Sequence, residues 1–194
     1  MVLDAAHGGN DAGARISDRI LEKDITLSLT ARLRSMLSAR GIGNVMTRDS
    51  DVDRTPVARA DTANRNPASA CIMIHATATG SGVHLYTSSL APTLLTRFMP
   101  WQTAQSAYVT QSLKLSSEID SALAHAEIPV TLGRTFLQPM DSLTCPAVAV
   151  EVAPLMASAS TKATPLSDTA YQRSILDALA AALDEWRNDW RQQP

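Results

Sequence analysis

Two histidines and two glutamates in this sequence have the side-chain types and the surroundings to carry metal-assisted chemistry. His7 follows a short apolar run, residues 2–5, and opens the Gly-rich turn His7-Gly8-Gly9-Asn10-Asp11. His75 ends the apolar run Cys71-Ile72-Met73-Ile74. Glu151 interrupts the run Val148-Ala149-Val150-Glu151-Val152, and Glu22 heads a helical pattern soon after His7. Taken singly, each has a plainer role. A histidine at a strand end is commonly a hydrogen-bonded core residue, and Glu22 suits a helix first turn, where the helix dipole favours a carboxylate. Glu151 is harder to accommodate, because a carboxylate inside an apolar strand is costly unless paired, protonated or bound to a metal. Together the four suit a catalytic zinc site, which takes three protein ligands and keeps a fourth position for water. Such a metal lowers the pKa of water to about 7 and polarises a carbonyl. A separate carboxylate then moves protons between the water and the leaving group.

The elements that must position these residues alternate along the chain. Residues 2–5 read as a strand. Residues 21–40 read as a helix, since Ile25, Leu29, Leu33, Met36 and Leu37 recur at spacings of three and four before Gly41. Val45-Met46-Thr47 is a second strand, and Thr55-Pro56 starts a helix to about Asn64 in a cap-then-proline pattern. Residues 71–74, 83–86 and 148–152 are further strands. A helix is predicted over 102–123, with Leu113 and Ile119 on its apolar side. A last helix is capped by Ser167 and Asp168 and carries the stripe Tyr171, Ile175, Leu179, Leu183, Trp186 and Trp190. Short apolar strands alternating with amphipathic helices predict an α/β fold, a mostly parallel or mixed central sheet flanked by helices on both faces. In such sheets ligands gather outside the carboxyl ends of the strands, where His7, His75 and Glu151 fall. The stretches 87–101 and 156–166 carry the weakest signals. The second is rich in Ala, Ser and Thr and reads as a surface loop; Leu94, Leu95, Phe98, Met99 and Trp101 in the first read as a packed connection.

With 194 residues, 45% hydrophobic and 19% charged, the chain fits one soluble domain, residues 1–194. A net charge of -2 argues against binding along a nucleic-acid backbone, which needs a strong basic face. No apolar run reaches the roughly 18 residues of a membrane helix. No basic and apolar leader precedes the first strand, so the chain reads as a trimmed domain with an added Met1. Its two cysteines, Cys71 and Cys145, lack C-x-x-C spacing. Buried free thiols are the expectation, and one disulfide is the alternative.

The motifs resemble those of the zinc N-acetylmuramoyl-L-alanine amidases of the amidase_3 type. That family opens on Asp-Pro-Gly-His-Gly-Gly-x-Asp-x-Gly-Ala, and this chain has Asp4-Ala5-Ala6-His7-Gly8-Gly9-Asn10-Asp11-Ala12-Gly13-Ala14. Glu22-Lys23 stands where the family has Glu-Lys at the head of a helix. Thr47-Arg48-Asp49-Ser50-Asp51 is similar to its Thr-Arg-x-x-Asp, and Arg59-Ala60-Asp61-Thr62-Ala63-Asn64 to its Arg-x-x-x-Ala-Asn. Met73-Ile74-His75-Ala76-Thr77 stands in place of Ser-Ile-His-Ala-Asn, followed by Gly82-Val83-His84-Leu85-Tyr86, and Pro146-Ala147-Val148-Ala149-Val150-Glu151 matches Pro-Ala-Val-x-Val-Glu. The order and spacing of these motifs cover residues 2 to about 186.

The resemblance implies that His7, Glu22 and His75 are zinc ligands and that Glu151 is the catalytic glutamate. It implies hydrolysis of the amide between the lactyl group of N-acetylmuramic acid and L-alanine in peptidoglycan. The setting is periplasmic or extracellular, and a monomer is the favoured state. A zinc peptidase cutting within the stem peptide and a non-catalytic wall-binding module are the rival readings. Ala5-Ala6 departs from Pro-Gly, Thr77 from Asn, and Ala153-Pro154-Leu155 from a Gly-Phe-Leu-like segment; these bear on turn geometry and substrate contacts. Asp11 also matches the family, and a turn-holding role is expected of it, since Asp commonly bonds its own loop backbone. His84 and His125 match no ligand position; His84 could face the groove, and His125 is expected at the surface.

Overall fold

Apolar runs too short for helices become the strands of one sheet, and the longer periodic segments cover it. The structure, a computed structural model, describes residues 1–93, 100–157 and 162–191, without the side chains of Trp190 and Arg191. The chain forms β1 (Val2–Ala5), a small antiparallel pair β2 (Arg15–Ser17) and β3 (Ile20–Leu21), α1 (Glu22–Ala39), β4 (Val45–Met46), α2 (Pro56–Asn64), β5 (Cys71–Ala76) and β6 (Val83–Ser88). After a 3-10 turn at Trp101–Ala107 come α3 (Val109–His125), β7 (Val130–Thr135), a second 3-10 turn at Met140–Ser142, β8 (Ala147–Val152) and α4 (Thr169–Arg191). The main sheet has six strands in the order β4-β1-β5-β8-β6-β7. Strands β4, β1, β5 and β8 are parallel; β6 is antiparallel to β8 and parallel to β7. The predicted α/β class holds, and the sheet is mixed.

Alternation along each strand divides the core. Leu3, Ile72, Ile74, Leu85, Val148 and Val150 pack on the apolar stripes of α1, α3 and α4. Val2, Cys71, Met73, Ala147 and Ala149 point the other way, onto Ala60 and Ala63 of α2 and Met140. His75 and Glu151 continue this second row at its open end. The predicted stripe of α4 is buried from Tyr171 to Trp186, and the Trp190 side chain lies outside the described residues. The Asp168 side chain accepts from Tyr171 N at 2.8 Å, capping α4, and Thr55 accepts from Ala58 N at 3.2 Å, capping α2. No helix among the described residues is long and apolar enough to cross a membrane.

The structure departs from the sequence reading in several places. The helix expected over 102–123 is broken at Tyr108, with Thr103 outside helical geometry. There the buried Gln105 amide turns away to bond the carbonyls of Leu143 and Cys145, at 2.9 and 3.0 Å. Strand β7 has no counterpart in the sequence reading. It is an edge strand, mostly exposed, so it needs no apolar pattern. The small β2–β3 hairpin is likewise new. Of the weak stretches, residues 94–99 and 158–161 lie outside the described residues, and with them Leu94, Leu95, Phe98 and Met99; Trp101 is half exposed.

The cysteines are the main correction. Cys71 and Cys145 are not free thiols but a disulfide, with Cα atoms 6.0 Å apart. Cys71 pairs in register with Ala147, so the parallel pairing of β5 and β8 brings Cys145 alongside it. The bridge closes a sequence separation of 74 residues, and loop-closure entropy puts such a crosslink at about 4 kcal/mol. Reduction is therefore expected to lower the unfolding free energy by about that amount. Urea unfolding with and without reductant measures it. Equal midpoints in the two conditions would show that the bridge constrains little.

Candidate metal centre

The turn after β1 is built to hold an uncommon backbone. His7 lies in the left-handed region, φ 60°, which costs a non-glycine residue on the order of 1–3 kcal/mol unless its surroundings impose it. Two buried arginines supply that constraint. Arg59 from α2 bonds Asp4 Oδ1 at 2.8 Å, the Ala5 carbonyl at 2.6 Å and the His7 carbonyl at 2.5 Å. Arg48 bonds the carbonyls of Ala5, Ala6 and Lys23 at 2.8–2.9 Å. Thr47 donates to Asp4 Oδ1, and Thr26 donates to the Ala6 carbonyl at 2.8 Å. The carbonyls of Ala5 and Ala6, the residues that depart from the family pattern, are thus collected by side chains from α1, α2 and the segment after β4. Outside the turn, Asp51 Oδ1 accepts from Gly9 N at 2.7 Å, Asp53 Oδ1 from Asn10 N at 2.9 Å, and Lys23 donates to the Gly9 carbonyl at 2.8 Å.

Glu22 stands at the head of α1, and its placement is more specific than a dipole effect. The Ala14 and Ala12 carbonyls accept from the Glu22 and Lys23 amides, so the loop satisfies the helix start. Glu22 Oε2 lies 3.2 Å from His7 Nε2, and Oε1 lies 3.0 Å from His75 Nδ1. The same oxygens accept from Ala14 N at 2.8 Å and Ala76 N at 3.1 Å. Gly13 allows this approach: at φ +65°, an added Cβ would lie 2.6 Å from His7 Cδ2 and 2.7 Å from Glu22 Oε2. Burial pushes the Glu22 carboxyl up, but the hydrogen bonds from His7, His75 and the two amides outweigh it and hold it well below the usual carboxylate range. The Glu22 carboxylate raises His7 above its ordinary value, against burial, with Asp11 adding to the effect.

One ligand atom from each of His7, Glu22 and His75 can be chosen so that all lie within 4.8 Å of one another, a group that could hold a metal ion. The donor set fits zinc in kind: two imidazole nitrogens and a carboxylate oxygen. It fits in support as well. Asp11 Oδ2 holds His7 Nδ1 at 2.8 Å, leaving Nε2 for a metal, as carboxylates commonly do beside metal-binding histidines. Asp11 also accepts from Gly13 N at 3.2 Å, so the expected turn role stands beside an orienting one. Glu151 lies one strand over, in register with His75. His7 and His75 are about a quarter exposed and Glu151 is 30% exposed, so all three are open to solvent.

Residues 1–185 match the Amidase_3 family, described as N-acetylmuramoyl-L-alanine amidase. The chain belongs to this family. It is 41% identical over 81 residues to the endolysin of Bacillus phage SPP1, a stretch covering 41% of this chain and 30% of that protein. It is 46% identical over 54 residues to the germination-specific N-acetylmuramoyl-L-alanine amidase of Bacillus subtilis, covering 28% of this chain and 22% of that protein. The matches therefore span a third or less of these two relatives. The fold matches that of the catalytic domain of the amidase CwlV from Paenibacillus polymyxa var. colistinus, with a TM-score of 0.73 at 22% identity over 96% of this chain and 97% of that one.

In this amidase-family chain the structure brings together all four residues that the sequence singled out. It also adds partners. Arg48, Arg59 and Asp51 stand in motifs that the sequence reading matched without giving them roles; their work is to hold the turn. His84, which matches no ligand position, stands beside Glu151, with its Nδ1 2.7 Å from Glu151 Oε2. His125 is exposed, as expected.

The Glu22–histidine contacts make stability in chelator sensitive to pH. The raised His7 value contributes stability that is complete below about pH 6.5 and lost as pH rises through its folded value. The depressed Glu22 value contributes stability present above about pH 4.3 and lost as pH falls through its folded value. Thermal unfolding in chelator should therefore peak between these limits, and Glu22→Gln should flatten both limbs. A variant profile parallel to the unmodified one would separate the limbs from this pair.

Proposed function

We propose that this chain is a zinc-dependent N-acetylmuramoyl-L-alanine amidase domain, spanning residues 1–194. It would hydrolyse the amide between the lactyl group of N-acetylmuramic acid and L-alanine of the peptidoglycan stem. The observation that carries this reading is the meeting of His7, Glu22 and His75, with Glu151 in register beside His75, in a chain of the amidase family. His7, Glu22 and His75 would hold zinc. When bound, zinc supplies polarisation of the lactyl carbonyl and acidification of water.

The chain's own residues supply the rest. Glu151 takes the proton from the attacking water and hands it to the departing amine of L-alanine, the general acid–base part of the reaction. Its ionised form suits the first transfer and its protonated form the second. Asp11 holds the His7 ring so that one nitrogen stays turned toward Glu22. The exposure of the site suits a polymer, which must lie across a groove rather than enter a closed cavity. The near-neutral charge suits recognition by hydrogen bonds and shape. A periplasmic or extracellular polymer such as peptidoglycan also lies where the Cys71–Cys145 disulfide persists, so the periplasm or the cell exterior is the proposed setting.

Ligand and catalyst separate by substitution. His7→Ala, Glu22→Ala and His75→Ala are each expected to lose most bound zinc by elemental analysis. A full equivalent of zinc in any one of them would remove that residue from the ligand set. Glu151→Gln should keep zinc and lose about 10²- to 10⁴-fold in turnover; near-normal turnover would make Glu151 structural. With purified peptidoglycan and zinc, mass spectrometry should find released stem peptides with a free L-alanine amino terminus and intact glycan strands. Chelator should stop the release. Peptides cut between two amino acids would replace the amidase reading with a peptidase, and shortened sugars would point to a glycosidase.

A further inference from the structure

His84 stands beside Glu151, yet neither the metal set nor the proposed proton transfers employ it, and its surroundings define a role for it. Strand β8 lies between β5 and β6. Glu151 pairs in register with His75 on one side and with His84 on the other. Directly opposed residues on neighbouring strands present their side chains to the same face. His75, Glu151 and His84 therefore stand in one row across the sheet. Glu151 is its middle member.

The imidazole is held on several sides. Its Nδ1 lies 2.7 Å from Glu151 Oε2, and the side chain is 14% exposed. The Tyr86 ring, two residues along β6, meets it edge-on with centroids 6.5 Å apart. The turn before β6 closes over it at Gly80, which has φ +86°. An added Cβ there would sit 2.7 Å from His84 Nε2 and would also collide with Cε1. The turn thus uses glycine both for its backbone angle and for its contact with the ring.

An ionised carboxylate can only accept, so His84 Nδ1 must carry the hydrogen in this contact. Such a charge-assisted bond fixes one oxygen of Glu151. The other oxygen, Oε1, has no hydrogen-bond partner among the described residues and stays available to the reacting groups. A glutamate side chain otherwise keeps several rotamers, and ordering it costs that freedom. A proton carrier must be ordered before it can act at the right atom.

We infer that His84 is the positioning residue for Glu151, tying Oε2 through its Nδ1–H so that Oε1 is presented to the substrate. This rests on the proposed role of Glu151 as proton carrier. The arrangement repeats a general logic in which a catalytic group is oriented by a further side chain bonded to its far side.

Kinetics on peptidoglycan, with zinc content measured alongside, provides the test. His84→Leu is expected to lower kcat about 10- to 100-fold, the size usual for loss of an orienting partner, with KM and bound zinc unchanged. His84→Asn places an amide N–H where Nδ1–H stood and should recover most of the loss. A leucine variant with wild-type kcat, or an asparagine variant no better than the leucine one, overturns the proposal. A tautomer measurement on the unsubstituted protein needs no variant to fold. Nitrogen-15 NMR of the imidazoles should find His84 as the Nδ1–H form, and an Nε2–H form overturns the proposal. Full turnover in Glu151→Gln would instead overturn the reading on which the inference stands. Loss in Glu151→Gln without loss in His84→Leu would remove the positioning role alone.

Discussion

The Glu22 side chain is only 7% exposed, yet its carboxyl is held strongly in the charged form. Removing a carboxylate from water carries a penalty of several kcal/mol unless donors replace the lost hydration. Here the replacements are His7, His75 and the amides of Ala14 and Ala76. Those donors come from the turn after β1, the loop before β2 and the end of β5. One buried charge therefore requires two stretches far apart in the chain, residues 7–14 and 75–76, to meet at the head of α1. The geometry that satisfies it also gathers two imidazoles and a carboxylate into a donor set suited to zinc.

That requirement passes outward. His7 meets Glu22 from a left-handed backbone, and a left-handed histidine is costly unless its surroundings hold it. Arg48 and Arg59 hold them. They are themselves buried cations, and each is matched to carbonyl acceptors, with Asp4 facing Arg59 across the base of the turn. The arginines come from the segment after β4 and from α2, so the short strand at the sheet edge and the small helix beneath the second face both serve the site. Beyond the first turns of α1, which carry Glu22, Lys23 and Thr26 to the site, the three larger helices do different work. They bury the opposite face of the sheet and leave the carboxyl ends of β5 and β8 open on the side where the chemistry would occur.

The sheet order adds the last layer. Because β8 is flanked by parallel β5 and antiparallel β6, a single carboxylate on it has a histidine on either hand. One belongs to the donor set and the other bonds the carboxylate directly. A mixed sheet is what permits this. In a wholly parallel sheet the start of β6, where His84 lies, would be at the opposite end of the sheet from His75 and Glu151.

Much of this was legible in the residue order, for local reasons. Thr55-Pro56 and Asp168 announce helix starts because a cap acts within three residues, and the stripe of α4 is visible because burial on a helix has a fixed period. Glu151 stood out because a charge within an apolar strand needs a partner, whatever that partner is. His7, Glu22 and His75 were found as types in suitable places and through their motifs. Edge strand β7 leaves no mark in the sequence because an exposed edge imposes no apolar pattern, and the break at Tyr108 leaves none because nothing local to Gln105 reveals the carbonyls it reaches. The disulfide and the His84–Glu151 bond are absent from the residue order for one shared reason. Cys71 and Cys145 meet through the pairing of β5 with β8, and His84 meets Glu151 through the pairing of β6 with β8. Strand neighbours are chosen by the packing of the whole sheet, so only the tertiary structure decided which side chains, far apart in the chain, would face one another.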